Sequence, residues 1–118
     1  MREGQTPMEQ TDPKVADNPE ARRFEITADG VLAGFAAYGL DGQAISFTHT
    51  EIDSAFEGRG LGSTLVRAAL DAARDAGLSV LPYCPFVRRY IARHREYVDL
   101  VPADRRARFS LDGDEAAG

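Results

Sequence analysis

Three glycines within five residues give this chain its most specific chemical signal. They lie in the segment Phe56–Ser63, between a predicted strand and a predicted helix. Without side chains in the way, the backbone N–H groups of such a turn can point at one anion, and the partial positive charge at a helix N-terminus favours the same anion. The segment therefore predicts an anion-binding turn. A tight strand-to-helix connection without a ligand is the alternative.

Two common nucleotide-binding signatures do not fit this turn. A Walker loop needs lysine before Ser/Thr, and the chain reads Gly62-Ser63-Thr64. A dinucleotide fingerprint needs glycine at position 63 and an acidic residue at the end of the next strand, and segment 78–83 contains none. The identity of the anion therefore has to come from other residues.

A cysteine and a histidine form the second chemical candidate. Cys84 follows a short apolar segment, and His49 lies near the end of an earlier predicted strand. If these strands are parallel neighbours, both side chains lie at one edge of the sheet, where a Cys/His pair can activate a nucleophile. The alternatives are a buried thiol that only packs and a structural histidine.

Strand alternation extends this candidate site by one carboxylate. A regular strand places His49 on the same face as Ile45, Phe47 and Glu51. Glu51 is therefore a second candidate base, and a solvated carboxylate is the alternative for it.

The elements that position these residues change in period along the chain. Segments 22–27, 31–40 and 44–52 predict an antiparallel three-stranded meander, with hairpin turns of one kind at Asp29-Gly30 and Asp41-Gly42. Segments 44–52, 63–76 and 78–83 then predict a right-handed βαβ unit. Pro85 fits the first turn of a second helix over 86–97. The predicted architecture is an α/β (α+β) fold, a mixed sheet with helices on its faces.

Composition and charge bound the remaining possibilities. The chain has 118 residues, 43% of them hydrophobic, and a formal net charge of −5. Seven arginines lie between positions 88 and 108, so the acidic chain has one basic segment. Such a balance disfavours general nucleic-acid binding and suits one anionic ligand. We expect disordered tails over 1–21 and 109–118, and one folded domain over 22–108.

Two kinds of segment that bear on localisation are not found in the sequence. No apolar run is long enough to cross a membrane, and residues 1–10 show no apolar signal segment. The single cysteine excludes an intramolecular disulfide and a zinc site built from cysteines. We therefore expect a cytoplasmic protein without a metal.

Three segments together resemble a known family. The stretches FTHTEID (47–53), FEGRGLGSTLVRAALDAARDAG (56–77) and LPYCPFVRRYIARHREYVDLV (81–101) look like the small Yjdj-type members of the GNAT acetyltransferase superfamily. The superfamily loop reads Gln/Arg-x-x-Gly-x-Gly/Ala. Gly60 and Gly62 match it, and Glu57 stands where the pattern has Gln or Arg. The resemblance implies a minimal GNAT fold and acetyl-CoA as co-substrate.

The resemblance also implies a function and a set of site residues. The implied activity is transfer of an acetyl group to an amine, which could be a protein lysine, an N-terminus, a polyamine or a small amine. Cys84 would lie beside the thioester, as an acetylated nucleophile or as an acid near the CoA sulfur, with His49 and Glu51 as candidate bases. The residues expected at the cofactor are Glu57, Gly58, Arg59, Gly60, Leu61, Gly62, Ser63, Pro85 and Arg88.

The resemblance has one further consequence for the acceptor. Larger superfamily members insert helices between their first two strands, whereas here Asp29-Gly30 closes that gap directly. We therefore expect a shallow or open acceptor site. Two other functions remain as alternatives: a CoA-binding module without efficient turnover, and an interaction protein that uses the arginine-rich segment 88–108.

Overall fold

A five-stranded sheet organises the molecule. The structure is a computed structural model that describes residues 13–111. Its strands lie in the order β1-β2-β3-β4-β5, with β5 parallel to β4 and the other pairs antiparallel. The elements are β1 (Lys14–Asn18), β2 (Arg23–Ala28), β3 (Val31–Asp41), β4 (Ala44–Ile52), α1 (Leu61–Asp75), β5 (Ser79–Pro82) and α2 (Pro85–Arg93). The mixed α+β class predicted from the sequence is confirmed.

The first strand corrects the predicted N-terminal tail. Residues 14–18 pair with β2 along its whole length, so the prediction of disorder over 1–21 is wrong for this segment. Residues 1–12 lie outside the described part of the chain. The meander therefore has four antiparallel strands. The sequence did not predict β1 because this exposed edge strand contains polar residues such as Asp17 and Asn18 and lacks apolar alternation.

The two hairpins that were predicted to be alike differ. Asp29 and Gly30 both have positive φ, as a type I′ turn requires. At the second hairpin Asp41 pairs with Ala44, so the loop is Gly42-Gln43, and only Gly42 has a positive φ. The second turn is therefore of another kind and begins one residue later than predicted.

The first two strands of the sheet are β1 and β2. The four residues 19–22 join them through a turn in which the Arg22 N–H donates to the Pro19 carbonyl at 3.1 Å. Residues 19–22 therefore close the gap between the first two strands, and the expectation that Asp29-Gly30 closes it is wrong.

The βαβ unit has the predicted order with shifted boundaries. Helix α1 begins at Leu61, two residues before the predicted start, so Gly62 and Ser63 belong to its first turn. Helix α2 ends at Arg93, and a 3-10 segment covers Arg95–Leu100. The predicted second helix over 86–97 is therefore too long, because His94 adopts a non-helical conformation.

Both helices pack on the same face of the sheet. A small internal space between them is lined by Ala36 and Phe47 of the sheet, by three residues of α1 and by Val87 of α2. The largest side chains buried there include Phe47, Leu65, Leu70 and Ile91. The expectation of helices on both faces is wrong, and no helix among residues 13–111 covers the opposite face. We call this opposite side, which carries Arg23, Glu25, Phe35, His49 and Glu51, the open face.

The C-terminal segment is part of the folded unit as far as the structure describes it. Phe109 and Leu111 are buried, so the predicted disorder from position 109 is wrong at these residues. The Phe109 ring meets Tyr83 edge-on at 5.2 Å. Residues 112–118 lie outside the described range.

Three arginines of the basic segment tie this end of the chain together. Arg88 donates to the Tyr83 carbonyl, Arg95 to the Leu111 carbonyl and Arg106 to the Val101 carbonyl. Part of the positive charge in 88–108 therefore serves the fold. No helix within residues 13–111 is long and apolar enough to span a membrane.

Candidate functional site

A bulge in β4 decides which side chains meet. Ala37 pairs with His49, and its neighbour Tyr38 pairs with Phe47. Thr48 is therefore an extra residue that has no paired residue in the β3–β4 ladder. Such an insertion reverses the alternation of the residues that follow it. Beyond Thr48, even-numbered residues therefore take the face that odd-numbered residues hold before it.

Cys84 lies on the helix-covered face beside a residue that the sequence analysis did not select. It is buried at the position just before α2, and its Sγ lies 3.4 Å from Thr50 Oγ1. Its backbone N–H donates to the Phe47 carbonyl at 2.8 Å, which fixes the residue against β4. The thiol therefore has a hydroxyl partner in the core of the βαβ unit.

His49 and Glu51 lie on the open face, with their side chains 61% exposed. His49 Nε2 is 3.3 Å from Glu51 Oε1, and the imidazole ring lies 5.9 Å from the Phe35 ring. The prediction that His49 shares a face with Glu51 is confirmed, but the prediction that it shares one with Ile45 and Phe47 is wrong. The structure brings His49 to Glu51 and does not bring it to Cys84.

The first turn of α1 has unsatisfied backbone donors. The N–H groups of Leu61, Gly62 and Ser63 precede the first intrahelical bond, which runs from the Thr64 N–H to the Gly60 carbonyl. Gly60 precedes the helix with φ +73°, a left-handed conformation that glycine adopts without strain, and it has no side chain to cap these donors. Three N–H groups therefore remain available to an anion.

The other residues of the loop contribute less than the sequence suggested. Arg59 donates to Asp29 at 3.3 Å and lies over the Phe56 ring, so its charge is directed to the β2–β3 hairpin. The Leu61 side chain is buried, which leaves only its backbone to meet a ligand. Glu57 and Gly58 are exposed.

Gly62 has a packing role that its place in the loop does not reveal. A Cβ at this position would lie 2.7 Å from Cζ of Phe86, at the beginning of α2. Glycine therefore lets the two helices approach where α1 begins, and this places α2 beside the free N–H groups.

A basic groove opens between the first turn of α1 and the outer side of α2. The groove has a volume of about 300 Å³ and is lined by Ser63, Phe86, Arg89, Tyr90, Arg93 and His94. The His94 ring stacks on Tyr90 at 4.0 Å, and its Nδ1 lies 2.9 Å from the Tyr90 carbonyl oxygen. Burial raises the pKa of Tyr90. Ser63 belongs both to this groove and to the first turn of α1, so the two features adjoin.

The remaining predicted cofactor residues lie at the same helix. Pro85 is exposed in the first turn of α2. Arg88 is committed to the Tyr83 carbonyl at 3.0 Å, whereas Arg89 and Arg93 form no ion pair within residues 13–111 and line the groove. Of these three arginines, the resemblance had selected Arg88.

Strand β4 continues beyond its pairing with β5. The parallel ladder ends at Phe47 and Pro82, and residues 48–52 have no strand partner on that side in the described part of the chain. A strand edge of this kind offers backbone groups to an extended ligand. No group of three or more potential metal ligands occurs among residues 13–111.

Thr48 and Thr50 are the residues that the sequence analysis missed. A bulge leaves no mark in the FTHTEI segment, because its threonines are compatible with a regular strand. The groove arginines were visible as a basic run, but helical spacing alone did not separate Arg88 from Arg89 and Arg93.

Comparisons with solved structures find partial likenesses. One is to the crystal structure of the ribosomal-protein-S18-alanine N-acetyltransferase from Escherichia coli, with a TM-score of 0.47 and 22% identity over 50% of this chain and 40% of that one. Another is to Ard1 from Thermoplasma volcanium, with a TM-score of 0.46 and 26% identity over 54% of this chain and 44% of that one.

Sequence comparisons identify the family. Streptothricin acetyltransferase from Streptomyces lavendulae is 38% identical over 64 residues, which make up 52% of this chain and 34% of that protein, so the match spans about a third of this curated relative. The sequence profile described as GCN5-related N-acetyl-transferase matches residues 23–100, well over half of the chain. The chain therefore belongs to the GCN5-related N-acetyltransferase (GNAT) family.

Proposed function

We propose that this protein, as a small Yjdj-type GNAT, transfers an acetyl group from acetyl-CoA to an amine. The observation that carries the proposal is the junction of free N–H groups at the start of α1 with the basic groove beside α2. CoA is a strongly anionic ligand whose phosphates lie close together. An anion site at a helix N-terminus suits such a ligand, and Arg89 and Arg93, which form no ion pair among residues 13–111, lie next to it.

Each part of the cofactor has a matching feature. The pyrophosphate would accept hydrogen bonds from the N–H groups of Leu61, Gly62 and Ser63. The 3′-phosphate would meet Arg89 and Arg93 in the groove. The extended pantetheine arm would lie along residues 48–52 of β4, which lack a strand partner on the β5 side.

The thioester would then lie near Thr50 and Cys84, at the end of the parallel ladder. In the reaction the amine nitrogen forms a bond to the acetyl carbon, the bond from carbon to sulfur breaks, and the amine loses a proton. Cys84 lies on the sulfur side as an acid, or as the nucleophile of an acetyl-cysteine intermediate. Its 3.4 Å contact with Thr50 would hold the thiol in place in either role.

The proton-accepting groups would lie on the other side of β4. His49 and Glu51 are exposed, form a hydrogen-bonded pair and face the open side of the sheet. Only a neutral amine can attack the thioester, so a base at this face would serve an acceptor that approaches from solvent.

Calorimetric titration with acetyl-CoA tests the proposal. We expect Arg89→Ala to weaken acetyl-CoA binding by about tenfold, because a charge-assisted contact to a phosphate is lost. Binding of dephospho-CoA should change much less. Arg108→Ala is the matched control, since it removes the same charge from an exposed position outside the groove. Absence of binding at high micromolar acetyl-CoA would refute the proposal.

A CoA-binding module without efficient turnover is the second candidate. The separation of His49 from Cys84 favours it, because the two groups cannot form an activated Cys/His pair across the sheet. Release of free CoA thiol with a panel of amines separates the two functions. The third alternative, an interaction protein built on segment 88–108, loses support because Arg88, Arg95 and Arg106 bind backbone carbonyls of the same chain.

A further inference from the structure

A cavity on the open face lies beside the end of β4. It has a volume of about 160 Å³, opens to solvent between β3 and the β4 terminus, and is lined by Leu32, Ala33, Gly34, Phe35, Glu51 and Asp53. Strand β4 also borders the proposed thioester position, at the neighbouring residue Thr50. Thr50 and Glu51 project to opposite sides of β4, so an acceptor in this cavity would approach the unpaired β4 edge from the open face.

The charge of the cavity has one sign. Among residues 13–111, Glu51 and Asp53 are the ionisable residues that line the cavity. The guanidinium of Arg23 lies 4.6 Å from the centre of the Phe35 ring, but it pairs with Glu25 at 2.8 Å. The cavity thus combines apolar and aromatic walls with two carboxylates that no arginine or lysine neutralises among residues 13–111.

The two carboxylates differ in their surroundings. Glu51 Oε1 is 3.3 Å from His49 Nε2, so this carboxylate belongs to the candidate base pair. Asp53 uses Oδ1 to accept a hydrogen bond from the Ala55 N–H at 2.9 Å, which fixes the side chain and leaves Oδ2 for another donor. The two acids lie two positions apart along an extended chain, a span of about 7 Å.

We infer that the acceptor is an alkyl diamine, held in this cavity with one nitrogen at Glu51 and the other, as an ammonium, at Asp53. The apolar walls at Leu32 and Phe35 suit the alkyl chain. A monoamine would contact Glu51 alone, whereas the second ammonium of a diamine adds an ionic contact at Asp53. This inference rests on the proposed acetyltransferase function and adds the substrate class.

Acceptor competition tests the inference. Putrescine and butylamine share a four-carbon chain, and only putrescine carries a second ammonium. We expect kcat/KM for putrescine to exceed that for butylamine by about fivefold or more, as one partly exposed ion pair allows. Asp53→Asn should bring the ratio toward one, because asparagine keeps the cap on Ala55 and removes the charge. Asp41→Asn, at the other end of the sheet, should leave the ratio unchanged.

Nuclear magnetic resonance supplies a readout that does not depend on turnover. Putrescine should shift the amide signals of Leu32, Phe35 and Asp53 in the wild-type protein, and less in Asp53→Asn. Equal rates for the two amines, faster acetylation of a lysine-containing peptide, or shifts elsewhere would overturn the inference. Absence of acetyl-CoA binding would instead overturn the acetyltransferase proposal, and the putrescine shifts would still report on the cavity.

Discussion

The two faces of the sheet are built on different physical principles. On the helix-covered face, Ile26, Phe47 and Leu65 are almost completely buried, and no charged side chain is buried within residues 13–111. On the open face, an ion pair joins Arg23 to Glu25, a hydrogen bond joins His49 to Glu51, and the aromatic ring of Phe35 stays partly exposed. One face supplies the hydrophobic free energy of folding, and the other keeps titratable groups in water.

The bulge at Thr48 connects this division to chemistry. It places Thr50 with Cys84 on the helix-covered face and His49 with Glu51 on the open face. The groups proposed to act on the thioester and those proposed to act on the amine thus reach β4 from opposite sides. A ligand that lies along the unpaired β4 edge would contact both.

The largest expected effect comes from removing an aromatic ring from each face. Phe47→Ala should lower the free energy of unfolding by about 3–5 kcal/mol, because it leaves a cavity beneath both helices. Phe35→Ala should cost about 1 kcal/mol or less, since its ring already contacts solvent. Urea denaturation measures both values, and Phe47→Leu supplies a milder variant if Phe47→Ala does not fold. Equal losses at the two positions would contradict the contrast between the faces.

A double-mutant cycle tests which residue is the partner of Cys84. Cys84→Ala and Thr50→Val should show a coupling of about 0.5–1 kcal/mol in the free energy of unfolding, because the side chains are in contact. Cys84→Ala and His49→Ala should be additive within about 0.3 kcal/mol. A larger coupling of Cys84 to His49 than to Thr50 would contradict the assignment of His49 to the open face.

The smallest expected effect is the pH dependence of the open face. The hydrogen bond from Arg23, followed by that from Asn18, lowers the pKa of Glu25 below its ordinary value of 4.5. The resulting stabilisation is therefore present above that value and is lost as the pH falls through the lower pKa of the folded state. Glu25→Gln should remove about 0.5 kcal/mol or less from the acid limb of a stability profile. An unchanged profile would show that the Arg23–Glu25 ion pair does not contribute to the free energy of unfolding.

The fold was predictable where local chemistry determines structure. The Asp29-Gly30 turn, the switch from strand to helix near the glycines and the parallel pairing of β4 with β5 all follow from residue types and spacing. The backbone donors at the start of α1 were predictable for the same reason. Backbone donors at a helix N-terminus do not depend on distant residues.

The parts that failed depend on tertiary context. Strand β1 has no apolar alternation, so only its pairing with β2 reveals it. The sequence around Phe109 and Leu111 is typical of a disordered tail, and only the folded structure shows that both residues are buried and that Phe109 contacts Tyr83. The reversal of side-chain alternation at Thr48 could not be predicted, because a bulge depends on how β4 pairs with β3. This reversal places His49 on the opposite face from Cys84.

Amide chemical shifts during titration with acetyl-CoA test the central claim most directly. The account predicts saturable shifts at Leu61, Gly62 and Ser63, at the groove residue Arg89, and at Thr50 and Cys84 on either side of the proposed thioester. Shifts confined to other surfaces, or no shifts at high micromolar acetyl-CoA, would contradict it.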